Sequence, residues 1–162
     1  MELPSKFKIL VVTLSDRAFR KEYDDLSGAR IKERISSFFE SSGREAIVNM
    51  ALIPDDAAIL KNLITEGGNE YDLIFTTGGT GIGPRDITVD TIKPLLTKEI
   101  PGIMELIRVK YGMENPNALL SRSITGITGR ALIYTLPGSL KAVDEYLNEI
   151  IKTLDHTIFM QR

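Results

Sequence analysis

Three strand-length apolar runs, at residues 7–14, 46–53 and 73–76, are each followed in this chain by a helical pattern. That alternation constrains the fold more than any single motif. The first run, FKILVVTL, is apolar almost without a break, as in a strand covered on both faces. After it, Ala29, Ile31, Ile35, Phe38 and Phe39 fall near helical spacing, with Ser27 placed to cap the start and Ser41-Ser42-Gly43 as a stop. The second run ends at Pro54, and Asp55-Asp56 opens a helix through Ala58, Leu60 and Leu63 to Gly67-Gly68. The third leads through a glycine-rich loop into a helix at residues 88–96, with Pro94 marking a late bend or its end. Repeated strand-then-helix units imply parallel pairing through right-handed crossovers. Ligands of such sheets collect at the carboxyl ends of the strands. Topology therefore gathers Ser15-Asp16-Arg17, Asp55-Asp56 and the glycine loop on one edge.

A helix is expected over residues 101–111, closed by Gly112, and then a turn or helix start at Asn115-Pro116-Asn117. Residues 123–127 and 131–136 flank Thr128-Gly129-Arg130 as the arms of a hairpin would. Pro137-Gly138-Ser139 ends the second arm, and an amphipathic helix follows over residues 140–156. The fold class is α/β, with a mostly parallel central sheet plus a β-hairpin. A length of 162 suits a single domain spanning 1–162. The net charge of −2 gives no general case for nucleic acid or an anionic membrane surface. With no cysteine, disulfides, thiolate metal sites and cysteine nucleophiles are excluded. No apolar run approaches the roughly 18 residues that span a membrane. The first residues also lack the charged-then-apolar pattern of a secretory leader, so a cytoplasmic protein is expected.

The chemistry concentrates after the third run, in Thr77-Gly78-Gly79-Thr80-Gly81-Ile82-Gly83-Pro84-Arg85-Asp86. Glycine removes the Cβ that would keep backbone N–H groups away from an anion. An arginine and a carboxylate at the far end add a phosphate-binding fork and a candidate Mg²⁺ ligand. No Gly-Lys-Ser/Thr follows, so this is not a Walker loop. A dinucleotide fingerprint should close the first strand, and these glycines close the third. His156 is the only histidine, which rules out a Ser/His/Asp triad elsewhere and reads as a surface or packing residue. Phosphate recognition of another type remains, beside a purely structural glycine turn. Asp55-Asp56 has two compatible readings, helix capping and metal binding, since a cap needs only one carboxylate.

Taken in order, Ser15-Asp16-Arg17, Ile53-Pro54-Asp55-Asp56, Thr76-Thr77-Gly78-Gly79-Thr80-Gly81 with Pro84-Arg85-Asp86-Ile87-Thr88, Leu120-Ser121-Arg122 and Leu136-Pro137-Gly138-Ser139 resemble the MogA/MoaB family of molybdenum cofactor biosynthesis. That family includes the G domains of gephyrin, and the resemblance spans nearly the whole chain. It implies a three-layer sandwich with helices on both faces, usually assembled as a homotrimer, or a hexamer in MoaB-like members. It also implies a molybdopterin adenylyltransferase, which transfers AMP from Mg-ATP to the molybdopterin phosphate and releases pyrophosphate. A molybdenum-insertion partner protein would then be expected, and no nucleic acid or membrane.

By the same resemblance Asp55 and Asp86 are the essential carboxylates, with Mg²⁺ as cofactor and ATP and molybdopterin as substrates. Thr77, Gly78, Gly79, Thr80, Gly81, Pro137 and Gly138 would meet phosphate groups. Ser15, Ser121 and Ser139 would donate to pterin or phosphate, Asp16 would join the substrate site, and Arg17, Arg85 or Lys141 would offset charge. A phosphate nucleophile is already ionised at neutral pH, so no general base is required. Leu140 departs from the pattern, because many MogA-like members carry a proline there and MoaB-like members do not. A pterin-binding protein with little catalysis and an oligomeric scaffold are the alternative readings.

Overall fold

Burial on both faces decides which apolar runs become central strands. The computed structural model describes residues 3–162. β1 (Lys6–Leu14), β2 (Glu45–Ile53), β3 (Leu73–Thr77) and β6 (Ala131–Leu136) pair in parallel, and every residue of β3 and β6 is buried. β5 (Thr125–Thr128) runs antiparallel to β6 as the expected hairpin. β4 (Lys98–Glu99), a two-residue strand with no apolar signature, adds an edge that sequence patterning does not reveal. The sheet order is β2-β1-β3-β6-β5-β4. After β2 the chain recrosses β1 to reach β3, so the direction of winding switches between the carboxyl ends of β1 and β3.

Side chains of β1 alternate between two cores, as the strand period requires. Phe7, Ile9 and Val11 pack with Ile31, Ile35 and Phe39 of α2 (Leu26–Ser41) and with Leu147, Ile150 and Leu154 of α6 (Leu140–Gln161). Leu10, Val12 and Leu14 pack on the other face with Leu60 and Ile64 of α3 (Ala57–Glu70) and with Val89 and Ile92 of α4 (Thr88–Ile92). The result is the expected three-layer sandwich. Among the described residues, no helix is long and apolar enough to cross a membrane.

Several local expectations need correction. Asp25, not Ser27, caps α2: its carboxylate accepts the Gly28 N–H at 2.8 Å, while Ser27 Oγ donates to the Gly138 carbonyl at 2.6 Å. Ser15-Asp16-Arg17 is not a plain solvated turn, one of its two readings, but the cap and first residues of a short helix α1 (Asp16–Phe19). α3 does not stop at Gly67-Gly68 but continues to Glu70, because these glycines serve close packing: a Cβ on Gly68 would sit 2.9 Å from the Thr128 carbonyl oxygen. α5 (Pro101–Gly112) includes Gly112, and α6 runs past His156 to Gln161, whereas the helix start expected at Asn115-Pro116-Asn117 is present as a 3-10 turn over Pro116–Leu120.

Candidate functional site

Strand register brings the site together. Leu14 pairs with Ile53, Thr13 with Thr77 and Thr77 with Leu136, so four parallel strands end at nearly one level. Gly78 leaves β3 with φ 99°, and its N–H donates to the Leu136 carbonyl at 3.0 Å. A Cβ there would collide with the Leu14 carbonyl oxygen, so only glycine passes between the ends of β1 and β6. Gly79 also has a positive φ, 68°.

The loop is then held by its carbonyls. The buried Thr88 donates its Oγ1–H to Gly78 O at 2.8 Å and its N–H to Gly79 O at 3.1 Å. Arg122 donates its N–H to Thr80 O and Nε to Gly81 O, each at 2.8 Å, and Nη2 to Asp86 O at 3.1 Å. Asp90 holds the same guanidinium at 2.9 and 3.0 Å. With the carbonyls engaged, the N–H groups of Gly79, Thr80 and Gly81 have no protein acceptor among the described residues. The N–H of Gly78 is spent on the sheet, so the anion-accepting backbone is one residue shorter than the sequence suggests.

The acidic pair after β2 divides its work. Asp56 caps α3 by accepting the Ile59 N–H at 3.0 Å. Asp55 instead exchanges bonds with Asp16: the Asp16 N–H reaches Asp55 Oδ2 at 3.1 Å, and the Asp55 N–H reaches Asp16 Oδ1 at 2.9 Å. Arg85 closes on Asp16 Oδ2 with Nη2 at 2.6 Å and Nε at 3.1 Å. The Asp55 backbone bond, and then Arg85, hold the Asp16 carboxyl below its usual range. Burial pushes the Asp55 carboxyl up, and the nearby charges of Asp16 and Asp86 add to that despite the Asp16 N–H bond. Asp86 Oδ2 accepts the Gly83 N–H at 2.8 Å.

Of these groups Asp55, Gly79, Arg85 and Asp86 line the first of two neighbouring cavities separated by the loop after β6, whereas Asp16, Gly78, Thr80 and Gly81 line neither. One, of about 160 Å³, is walled by Ser15, Asp25, Asp55, Thr77, Gly79, Arg85, Asp86 and Gly138. The other, of about 220 Å³, is walled by Asn115, Asn117, Ser121, Pro137, Ser139, Lys141 and Tyr146. Ser15 and Ser139 double as the caps of α1 and α6. Lys141 lies 3.8 Å from Glu145. Arg17 enters neither cavity: it extends toward Glu22 at 3.4 Å and over the Tyr23 ring at 5.1 Å. A larger cavity, about 530 Å³, lies at the opposite edge, where Arg130 and Arg162 already pair with Asp72.

Sequence reasoning gave no role to Asp25, Tyr23, Thr88 or Tyr146. Asp25 was readable as a cap, three residues before Gly28. Tyr23 OH, 2.7 Å from Ser15 Oγ, depends on how the residue 20–25 connection folds back and left no local signal. No group of three or more His, Cys, Asp or Glu side chains among the described residues could hold a metal alone.

An open α/β sheet with a carbonyl-anchored glycine loop and paired carboxylates at its switch point is an arrangement suited to an anionic ligand at the carboxyl ends of its strands. Residues 10–156 match the model of a family described as a probable molybdopterin binding domain, and the chain belongs to that family. It is 37% identical to molybdenum cofactor biosynthesis protein B of Staphylococcus carnosus, over 98% of this chain and 92% of that protein. It is 33% identical to a molybdopterin adenylyltransferase of Helicobacter pylori, over 91% of this chain and 84% of that protein. Gephyrin of Dictyostelium discoideum is 39% identical over 91% of this chain, which spans only 21% of gephyrin's length. Among solved structures, the tungsten cofactor synthesizing protein MoaB of Pyrococcus furiosus superposes with a TM-score of 0.85 at 34% identity, covering 99% of both chains.

Proposed function

We propose that this chain acts in molybdenum cofactor biosynthesis as a molybdopterin adenylyltransferase, a single domain over residues 1–162. One observation carries the reading: Gly79, whose N–H is free among the described residues, shares one cavity with the carboxylates of Asp55 and Asp86, and a second, less acidic cavity adjoins it across Pro137, Gly138 and Ser139. The nucleotide's phosphates suit the first cavity and the pterin the second. The pterin phosphate oxygen attacks the α-phosphorus, and the bond to the β-phosphate bridge breaks as pyrophosphate leaves. Two anions must meet, so positioning and charge neutralisation by the chain dominate.

Gly79, Thr80 and Gly81 offer N–H donors that bring no proton to the reaction. Arg85 carries further N–H donors at the mouth of the cavity. Asp55 and Asp86 fit a Mg²⁺ ion: burial and like charge already disfavour the ionised form of Asp55, and a cation would relieve both. Mg²⁺ needs few carboxylates when phosphates and water complete its shell, and when bound it neutralises the triphosphate. The protein is read as a cytoplasmic homotrimer, a hexamer being the MoaB-like variant. The face of α5 bearing exposed Leu106 and Val109, with Met113 at the cap that follows and Leu119 beside it, would meet a second copy.

The test is to incubate the protein with molybdopterin, ATP and Mg²⁺ and to measure adenylylated pterin and pyrophosphate. Both are expected in equal amounts. Saturated binding of both substrates without product would sink the enzyme and leave a pterin-binding protein.

A further inference from the structure

We propose that Tyr146 is a positioning residue that fixes the Ser121 hydroxyl as a hydrogen-bond donor toward the ligand in the second cavity. The inference rests on the pterin reading of that cavity. Tyr146 lies on the apolar face of α6 and is 4% exposed, a position that phenylalanine would fill equally well for packing alone. Its hydroxyl instead reaches Ser121 Oγ at 3.0 Å, and this is its one side-chain partner among the described residues.

Ser121 Oγ has two further neighbours. Ser123 Oγ is 3.0 Å away and fully buried, and Thr80 Oγ1 is 3.4 Å away in the glycine loop. A serine hydroxyl has one hydrogen and two lone pairs. Ser123 has Ser121 as its sole side-chain partner among the described residues and no access to water, so its hydrogen goes to Ser121. Tyr146 donates into the other lone pair. Both acceptor positions of Ser121 are then filled, and its own hydrogen has only Thr80 Oγ1, at a distance too long for a strong bond. Ser121 therefore presents a hydrogen to the cavity and selects an acceptor there, a phosphate oxygen or a ring carbonyl. The hydroxyl cluster also ties α6 to the glycine loop beside the second cavity.

The experiment is a double-mutant cycle on the full chain, with molybdopterin and ATP affinities measured separately. Tyr146→Phe is expected to weaken molybdopterin binding roughly tenfold, the size of one net hydrogen bond, with ATP affinity within about twofold. Ser121→Ala is expected to weaken molybdopterin binding by a similar factor, and the double variant to be no weaker than Ser121→Ala alone. Ser123→Ala, which removes the other donor, should lower molybdopterin affinity in the same selective way and serves if Tyr146→Phe folds poorly. Additive penalties, equal loss of both affinities, or an unchanged Tyr146→Phe would overturn the positioning role. Failure of the parent protein to bind molybdopterin at all would overturn the functional reading beneath it instead.

Discussion

At the scale of single residues, the site is built from groups held against their ordinary preferences. Asp55 is the clearest. Its folded carboxyl keeps a proton to higher pH than the reference 3.8, so its contribution to stability is complete below 3.8 and is lost as pH rises through the raised native value. Asp55→Asn has no such loss. It should gain stability relative to the parent between pH 3.8 and neutrality, read from urea midpoints, while adenylylation falls on the order of 10²-fold. Gly78 is the backbone counterpart. Gly78→Ala must place a Cβ on the Leu14 carbonyl at a positive φ, and it should cost about 3 kcal/mol or more in chemical unfolding and abolish nucleotide binding. Glycine at this point was legible in the sequence. That its N–H pairs with Leu136 was not, because the partner is set by β6 register rather than by any local pattern.

Elements add constraints that no single motif carries. The three strand–helix rounds were readable because strands covered on both faces and helices with one apolar stripe leave different periods in the sequence. β4 and α1 were not, since a two-residue strand and a four-residue helix are too short to show a period. The hold of α5 on α6 was equally silent. Glu149, buried on α6, accepts from Lys110 Nζ at 2.5 Å, Lys152 Nζ at 2.7 Å and Tyr111 OH at 3.2 Å. Bonds from Lys110 and then Lys152 lower its carboxyl to about 2. The stability it contributes is therefore present above the reference 4.5 and lost as pH falls toward 2. Glu149→Gln should cost roughly 2 kcal/mol at neutral pH, and the deficit should shrink through that acidic window in denaturant titrations.

For the whole molecule, the exposed apolar stripe on α5 and the cap that follows it is the feature that the isolated chain leaves unused. Leu106, Val109 and Met113 are 55, 58 and 84% exposed, an unusual density for a surface that meets only water. Placing lysine at both Val109 and Met113 would put like charges across a self-association face. For the proposed homotrimer, the pair should reduce the light-scattering mass from three chains to one, with the far-ultraviolet spectrum unchanged. Sequence patterning could show that α5 is amphipathic but not that its outer stripe is apolar too, because residues 101–111 follow one helical rhythm on both sides.

The contact between Gly78 and Leu136 joins strands that are remote along the chain, and closing such loops is the slow, entropically costly part of folding. A partly folded chain with β1, β2 and β3 aligned but β6 undocked would have its carboxylates in place and no anchored loop to receive phosphate. Nucleotide binding would then report completion of folding, and ligand added during refolding would capture only molecules that have finished.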